Sequence, residues 1–384
     1  MAKSLLVQLY EINKWAYQYY SKKEPIVPDK KVAWISSFVP VEILESLNFA
    51  YIYPESYAAV IAASGKEQEC LEVAQTNDLS LDCCSYSACF NGCLSLNKGP
   101  RGIPPLPNVL IASSNQCNTL PNWWNLLATQ LGVPLIILDY PGETDADAQT
   151  AEYVETQHKQ LISQLEDISG VKLNEEVLAK NIVISSENVA LWKSIVELLS
   201  SPDHLIPVGM LFDFISPLII ARCLPATTEF FQLFKEELIE NYLDIEQEQK
   251  NKKRIYWAGY PFWYHSDRCI QVDGAHIVGA NYITWWNLDY SGKTVWEKLY
   301  HAYNFTVLNL KKETRTNLIL DDICQKKAEG VVINQNKSCK RDFSSLRESD
   351  CPVPYATIES DMIDRKFLDI NAAKERLNLL ISML

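Results

Sequence analysis

The run Gly132-Val133-Pro134-Leu135-Ile136-Ile137-Leu138-Asp139 carries no polar side chain before its last residue. A strand without polar alternation is covered on both faces, the property of parallel sheets wrapped by helices. Six further short apolar runs read the same way: Val32-Ala33-Trp34-Ile35, Val109-Leu110-Ile111-Ala112-Ser113, Ile255-Tyr256-Trp257-Ala258-Gly259, Ala275 to Ala280, Gly330 to Asn334, and Tyr355 to Glu359. Helical spacing follows several of them. Val41 to Leu47 has Pro40 beside its first turn, and a second helix passes through Trp123, Trp124, Leu126, Leu127 and Leu131 before the Leu135 strand. Strand, helix, strand with short links is a parallel βαβ unit.

From about Asp145 to Glu248 the pattern is mostly helical, over Ala146 to Leu165, Asn174 to Leu199 and Glu229 to Gln249; Ile182-Val183-Ile184-Ser185 alone reads as a possible strand. A closing helix runs from Ile370 to Leu384. The expected fold is α/β, two Rossmann-like lobes with parallel sheets joined by a helical segment. The expected division is 1–145 for the first lobe with Cys84 and Cys117, 146–250 for the helical connection, and 251–384 for the second lobe with Cys339.

At 384 residues, 47% hydrophobic and 22% charged, the chain can bury two ordinary cores. Its formal net charge of −13 argues against a nucleic-acid partner, which needs clustered Lys and Arg, and suits a basic patch on another protein. The sequence from Met1 to Val7 has no signal-peptide pattern and no run of about 18 apolar residues occurs, so a cytoplasmic protein without membrane association is expected. Neither G-x-x-x-x-G-K-[ST] nor G-x-G-x-x-G is present, which points away from ATP hydrolysis by this chain and from NAD chemistry. Its five histidines are scattered, with no i, i+4 pair for zinc.

Eleven cysteines, an odd number without an export signal, argue for thiols rather than a disulfide framework. Cys223, Cys269 and Cys324 read as small core hydrophobes. Cys84, Cys117 and Cys339 lie in loops, two of them shortly after apolar strands, and open α/β sheets assemble their sites at the carboxyl ends of strands. Three thiolates meeting there would hold an iron–sulfur cubane with one iron open to a non-protein ligand. Cys83, Cys89 and Cys93 are near enough in sequence to compete as iron ligands, and their spacing matches neither common ferredoxin run.

Several segments, in order, resemble the 2-hydroxyacyl-CoA dehydratase and benzoyl-CoA reductase subunit family. They are Trp34 to Ile43, Asp82-Cys83-Cys84-Ser85-Tyr86, Asn115-Gln116-Cys117-Asn118-Thr119 with Trp123, Val133 to Pro141, Gly330-Val331-Val332 leading to Ser338-Cys339-Lys340, and Glu359-Ser360-Asp361-Met362. The resemblance implies a [4Fe-4S] cluster on Cys84, Cys117 and Cys339, Cys84 being preferred to Cys83 because it precedes Ser-Tyr. It also implies a related second subunit in a heterodimer and a separate ATP-hydrolysing iron–sulfur activator that delivers a low-potential electron. The reaction implied is radical elimination of water from a 2-hydroxyacyl-CoA thioester in anaerobic metabolism, through a ketyl radical that acidifies the β-position. In that scheme Ser37 hydrogen-bonds the substrate oxygen and Glu55 accepts a proton, against the simpler roles of helix cap for Ser37 and exposed loop carboxylate for Glu55. Where many members have an Arg after Cys-Ser-Tyr, this chain has Ser87-Ala88-Cys89, which leaves a double-cubane cluster as a second possibility. The rival readings are a benzoyl-CoA reductase subunit, an electron-relay subunit without catalytic groups, and a metal-free α/β binding protein. Trp257, Trp263, Trp285, Trp286, Tyr260 and Tyr264 are candidates for the wall of a dry acyl pocket or for plain core packing.

Overall fold

In the computed structural model, residues 30–77, 84–100, 102–142, 146–200, 206–242, 252–339 and 346–384 are described, together with 7, 8 and 11. Strand β1 (Lys31–Ile35) leads through a short turn into α1 (Val41–Ser46), β2 (Phe49–Ile52) and α2 (Pro54–Ala63), and then α3 (Glu67–Thr76) and α4 (Ser85–Leu96) pack side by side. The α3/α4 approach is close enough that a Cβ on Gly92 would lie 1.8 Å from the Cys70 carbonyl oxygen. Only glycine fits there. Next come β3 (Val109–Ser113), α5 (Thr119–Leu131) and β4 (Leu135–Leu138). The four strands are all parallel in the order β2-β1-β3-β4.

A helical connection follows, with α6 (Ala148–Ser169), α7 (Glu175–Glu197), α8 (Val208–Phe214), α9 (Ser216–Ile220) and α10 (Pro225–Tyr242). The expected break at Ile182 to Ser185 is corrected: these residues continue α7. Leu178, Ile182, Ser185, Val189 and Trp192 are buried at three- and four-residue steps while Val183 is 47% exposed, which is helical periodicity rather than strand alternation. The far end of the third expected helix, 243–249, lies outside the described residues.

The second sheet is built from β5 (Lys253–Ala258), β6 (Ala275–Ala280), β7 (Gly330–Asn336) and β8 (Tyr355–Ser360), again all parallel, in the order β6-β5-β7-β8. Short α11 (Asn281–Thr284), α12 (Val295–Asn304), α13 (Lys312–Gln325) and the closing α14 (Ile370–Met383) complete it. The two sheets thus share one strand order. Position for position, β3 corresponds to β7 and β1 to β5, so the loops that carry Cys117 and Cys339 leave equivalent places in the two sheets.

Every residue of β1 after Lys31, and of β3, is buried, as the apolar runs require. Trp34, Trp124, Trp192 and Trp257 are fully buried, each removal from water being worth on the order of 2–3 kcal/mol before conformational entropy is charged against it. One buried polar cluster ties the lobes together. Glu42 of α1 accepts the hydroxyls of Tyr290 and Tyr303 at 2.6 Å each, and Arg222 stands beside it, its Nε 3.5 Å from the carboxylate and its Nη2 donating to Tyr303 at 2.8 Å. Among the described residues no helix is long and apolar enough to cross a membrane.

Candidate functional site

The carboxyl ends of β1 and β3 face those of β5 and β7 across a cavity of about 480 Å³, and all five residues singled out by sequence line it: Ser37, Glu55, Cys84, Cys117 and Cys339. Ser37 sits in the turn after β1, and Glu55 lies in the first turn of α2, after Pro54. Two expectations are corrected here. Helix α1 is entered through Pro40 with no side-chain cap, so Ser37 is not its cap, and Glu55 is a half-buried helical carboxylate rather than an exposed loop group.

Ser37 donates its hydroxyl to Glu55 Oε2 at 3.0 Å and its backbone N–H to the same oxygen at 3.2 Å. Gln116 Nε2 donates to the other carboxylate oxygen at 3.4 Å, and Gln116 Oε1 in turn accepts from Ser113 Oγ at 3.3 Å. Burial raises the Glu55 carboxyl above the ordinary range, and the donors from Ser37 and Gln116 pull it back. The result is a carboxylate with both oxygens held, at the edge of a mainly apolar cavity. Nothing in the sequence assigned this part to Gln116, although it adjoins Cys117; its side chain reaches Glu55 while that of neighbouring Asn115 turns to the other lobe.

Cys84 immediately precedes α4, with the backbone N–H groups of Ser87 and Tyr86 turned toward its sulfur. Its thiol is pushed up to about 12, chiefly by burial, with the proximity of Cys117 and Glu55 acting in the same direction and those N–H groups opposing it. Cys84 and Cys339 are drawn together by their neighbours. Ser338 Oγ donates to Ser85 Oγ at 2.9 Å, and the Ser85 N–H donates to Ser338 Oγ at 3.2 Å. The Cys339 loop is itself braced, since Asn336 Oδ1 accepts the Cys339 N–H at 2.9 Å and Asp361 Oδ2 accepts the Ser338 N–H at 3.2 Å. Asp361 belongs to the Glu359-Ser360-Asp361-Met362 segment, whose part in the site becomes visible only in three dimensions. The Tyr260 hydroxyl lies 4.0 Å from Cys339 Sγ.

The Cys117 loop is anchored from the other lobe, where Asn115 Nδ2 donates to the Tyr303 carbonyl at 2.8 Å and to Thr306 Oγ1 at 3.3 Å. Gly259, directly after β5, has φ +132°, and a Cβ there would fall 2.6 Å from the Asn334 carbonyl oxygen, so the β5 and β7 ends approach as closely as glycine allows.

Two of the competing thiols lie elsewhere. Cys89 and Cys93 are buried on α4 against Cys70 of α3 and do not line the cavity, while Cys83 falls outside the described residues. Cys223 and Cys269 are buried, as small hydrophobes are, whereas Cys324 is exposed on α13, contrary to the sequence expectation. Among the described residues no three His, Cys, Asp or Glu side chains are arranged to hold a single metal ion. Of the expected aromatics, Tyr260, Trp263, Trp285 and Trp286 line the cavity; Trp257 is a core residue of β5, and Tyr264 stacks on Phe262 away from it. The Trp263 indole donates to the Tyr86 hydroxyl at 2.5 Å, another bridge between lobes.

The profile of the family described as "2-hydroxyglutaryl-CoA dehydratase, D-component" matches residues 36–384, which takes in every residue of this site. The chain belongs to that D-component family. Among its relatives is the (R)-2-hydroxyisocaproyl-CoA dehydratase alpha subunit of Clostridioides difficile, 28% identical over 91% of this chain and 89% of the relative. The lactoyl-CoA dehydratase alpha subunit of Anaerotignum propionicum is 26% identical over 92% of this chain and 90% of its own length. A benzoyl-CoA reductase subunit from Thauera aromatica is 24% identical over 91% of this chain and 88% of its own length. Within this D-component family member, Ser37 stands one position inside the matched region.

Proposed function

We propose that this chain is the iron–sulfur subunit of a radical 2-hydroxyacyl-CoA dehydratase, working beside a related second subunit and charged by a separate ATP-hydrolysing activator. The observation that carries this reading is that thiols from both lobes share one apolar cavity with the Ser37–Glu55 pair. A [4Fe-4S] cluster fits the donor set. Cys84, Cys117 and Cys339 are the three cysteines on the cavity wall among the described residues, which leaves one iron corner without a protein thiolate. The absence of Cys89 and Cys93 from the wall favours one cubane over a double one.

When bound, the cluster supplies a single low-potential electron and an open iron to the acyl thioester. The residues of the chain do the rest. Ser37, its hydroxyl proton given to Glu55, is placed to accept a hydrogen bond from the substrate's 2-hydroxyl, and Glu55, with both oxygens held by Ser37 and Gln116, takes up a proton in the elimination. The aromatic wall excludes water that would quench a substrate radical.

The benzoyl-CoA reductase relative keeps a second reading in view, in which the same electron delivery reduces an aromatic ring. The test is turnover by the anaerobically purified complex with its activator, offered (R)-2-hydroxyacyl-CoA and benzoyl-CoA in parallel. Water elimination from the first supports the dehydratase; consumption of benzoyl-CoA alone replaces it with the reductase.

A further inference from the structure

The helical connection between the lobes supplies one wall of the cavity, and that wall is apolar. Helices α8 and α9 present Phe212, Phe214, Ile219 and Ile220, with Ile215 between them, and Leu308 and Met362 add to the same lining. Thiols and phenols aside, the ionisable side chains among the described lining residues are Glu55, Asp213 and Arg268. Arg268 is committed. Its Nε donates to Asp213 Oδ1 at 2.7 Å, and its Nη1 donates to the carbonyls of Trp263 and His265. The described wall therefore carries two carboxylates against one guanidinium already paired with one of them.

An acyl chain ending in a second carboxylate would lose its water here and meet, among the described lining residues, no cation that is not already paired. Stripping a carboxylate of solvent without a partner costs several kcal/mol. An aliphatic or aromatic side chain would instead be driven in by the same surfaces, at about 25 cal/mol for each Å² of apolar area covered.

We propose that this cavity selects thioesters whose 2-hydroxyacyl group is uncharged and apolar, and rejects dicarboxylic acyl groups such as 2-hydroxyglutaryl. The selectivity rests on the dehydratase reading given above and sharpens it from a reaction type to a substrate class. Phe212, Phe214 and Ile219 are the residues assigned to it.

The experiment compares (R)-2-hydroxyisocaproyl-CoA with (R)-2-hydroxyglutaryl-CoA, which differ chiefly in that charge, on the activated complex. Binding is read independently before activation, by quenching of the tryptophan fluorescence contributed by the cavity wall. The expected result is a preference for the isocaproyl thioester of roughly a hundredfold or more in kcat/KM, with the same order of affinities in the titration. Equal or better binding and turnover of the glutaryl thioester overturns the proposal and leaves the dehydratase reading intact. If the activator reduces the complex and neither thioester loses water, the dehydratase reading fails and the selectivity falls with it.

Discussion

Ser338 donates its hydroxyl to Ser85 Oγ at 2.9 Å, so the residue before Cys339 is tied to the residue after Cys84 although they are 253 positions apart. Loops carrying two of the three proposed sulfur ligands are thus fastened to each other directly. Anaerobic preparations are expected to hold about four irons and as many sulfides per chain. Cys117→Ala and Cys339→Ala should lose most of both, and Cys89→Ala and Cys93→Ala should retain them. Iron and acid-labile sulfide analysis reads the outcome; retention of iron by Cys117→Ala would remove that residue from the ligand set.

The Ser37–Glu55 pair separates catalysis from electron relay. Glu55→Gln keeps the shape and removes the proton acceptor, so kcat should fall by roughly a hundredfold or more while iron content and the reduced cluster's spectrum stay as they were. Ser37→Ala should act in the same direction, because it takes the hydroxyl donor from the carboxylate and leaves only the backbone N–H. Unchanged turnover in both variants would make this chain a relay and place the chemistry in its partner.

Arg222 and Glu42 form a buried ion pair with two tyrosines, and removing half of it strands a charge. Arg222→Met is expected to destabilise the chain by about 3–5 kcal/mol, the usual result of breaking a buried pair from one side. The double variant Arg222→Met, Glu42→Leu should regain part of that loss, since no charge is then left inside. Urea unfolding of the single and double variants provides the comparison.

The histidine contribution to stability should fall as the solution is acidified below about pH 6.5. Burial pushes His158 down to about 3, where its Nε2 shares a hydrogen bond of 2.8 Å with the Tyr140 hydroxyl. Between that value and the ordinary histidine range the unfolded chain binds the proton and the folded chain does not, so stability rises with pH across this window, by up to about 1.4 kcal/mol per pH unit. His276, pushed down to about 4, adds the same sign. His158→Gln should therefore lessen the slope of melting temperature against pH without abolishing it.

Strands buried on both faces leave uninterrupted apolar runs and were legible from sequence, as at Val109–Ser113 and in the 330–333 part of β7, whereas Leu135–Leu138, expected from its run to be covered on both faces, is an edge strand in which burial alternates and Ile137 is 42% exposed. Strand β2 was missed. Phe49–Ile52 is set off by Asn48, at φ +60°, and by Pro54, but with four residues between two helices it is too short to stand out as an apolar run. Ile182 to Ser185 misled in the opposite sense, since a β-branched run inside a long helix looks like a strand until its neighbours at i±3 and i±4 are counted. At the site, loop cysteines that follow strands announced themselves. The wall from α8 and α9 did not, because Phe212, Phe214 and Ile219 read as ordinary core residues and only tertiary packing brings them to the cavity.

Asn115 reaches out of the first sheet's loop to grasp the backbone at Tyr303 and the hydroxyl of Thr306, close to the second sheet. A fragment ending after β4 would leave Asn115 without these partners, and a fragment starting at β5 would keep Cys339 without the other two proposed ligands. Splitting this polypeptide at its middle would yield two incomplete jaws, neither carrying the whole set of thiols proposed for the cluster.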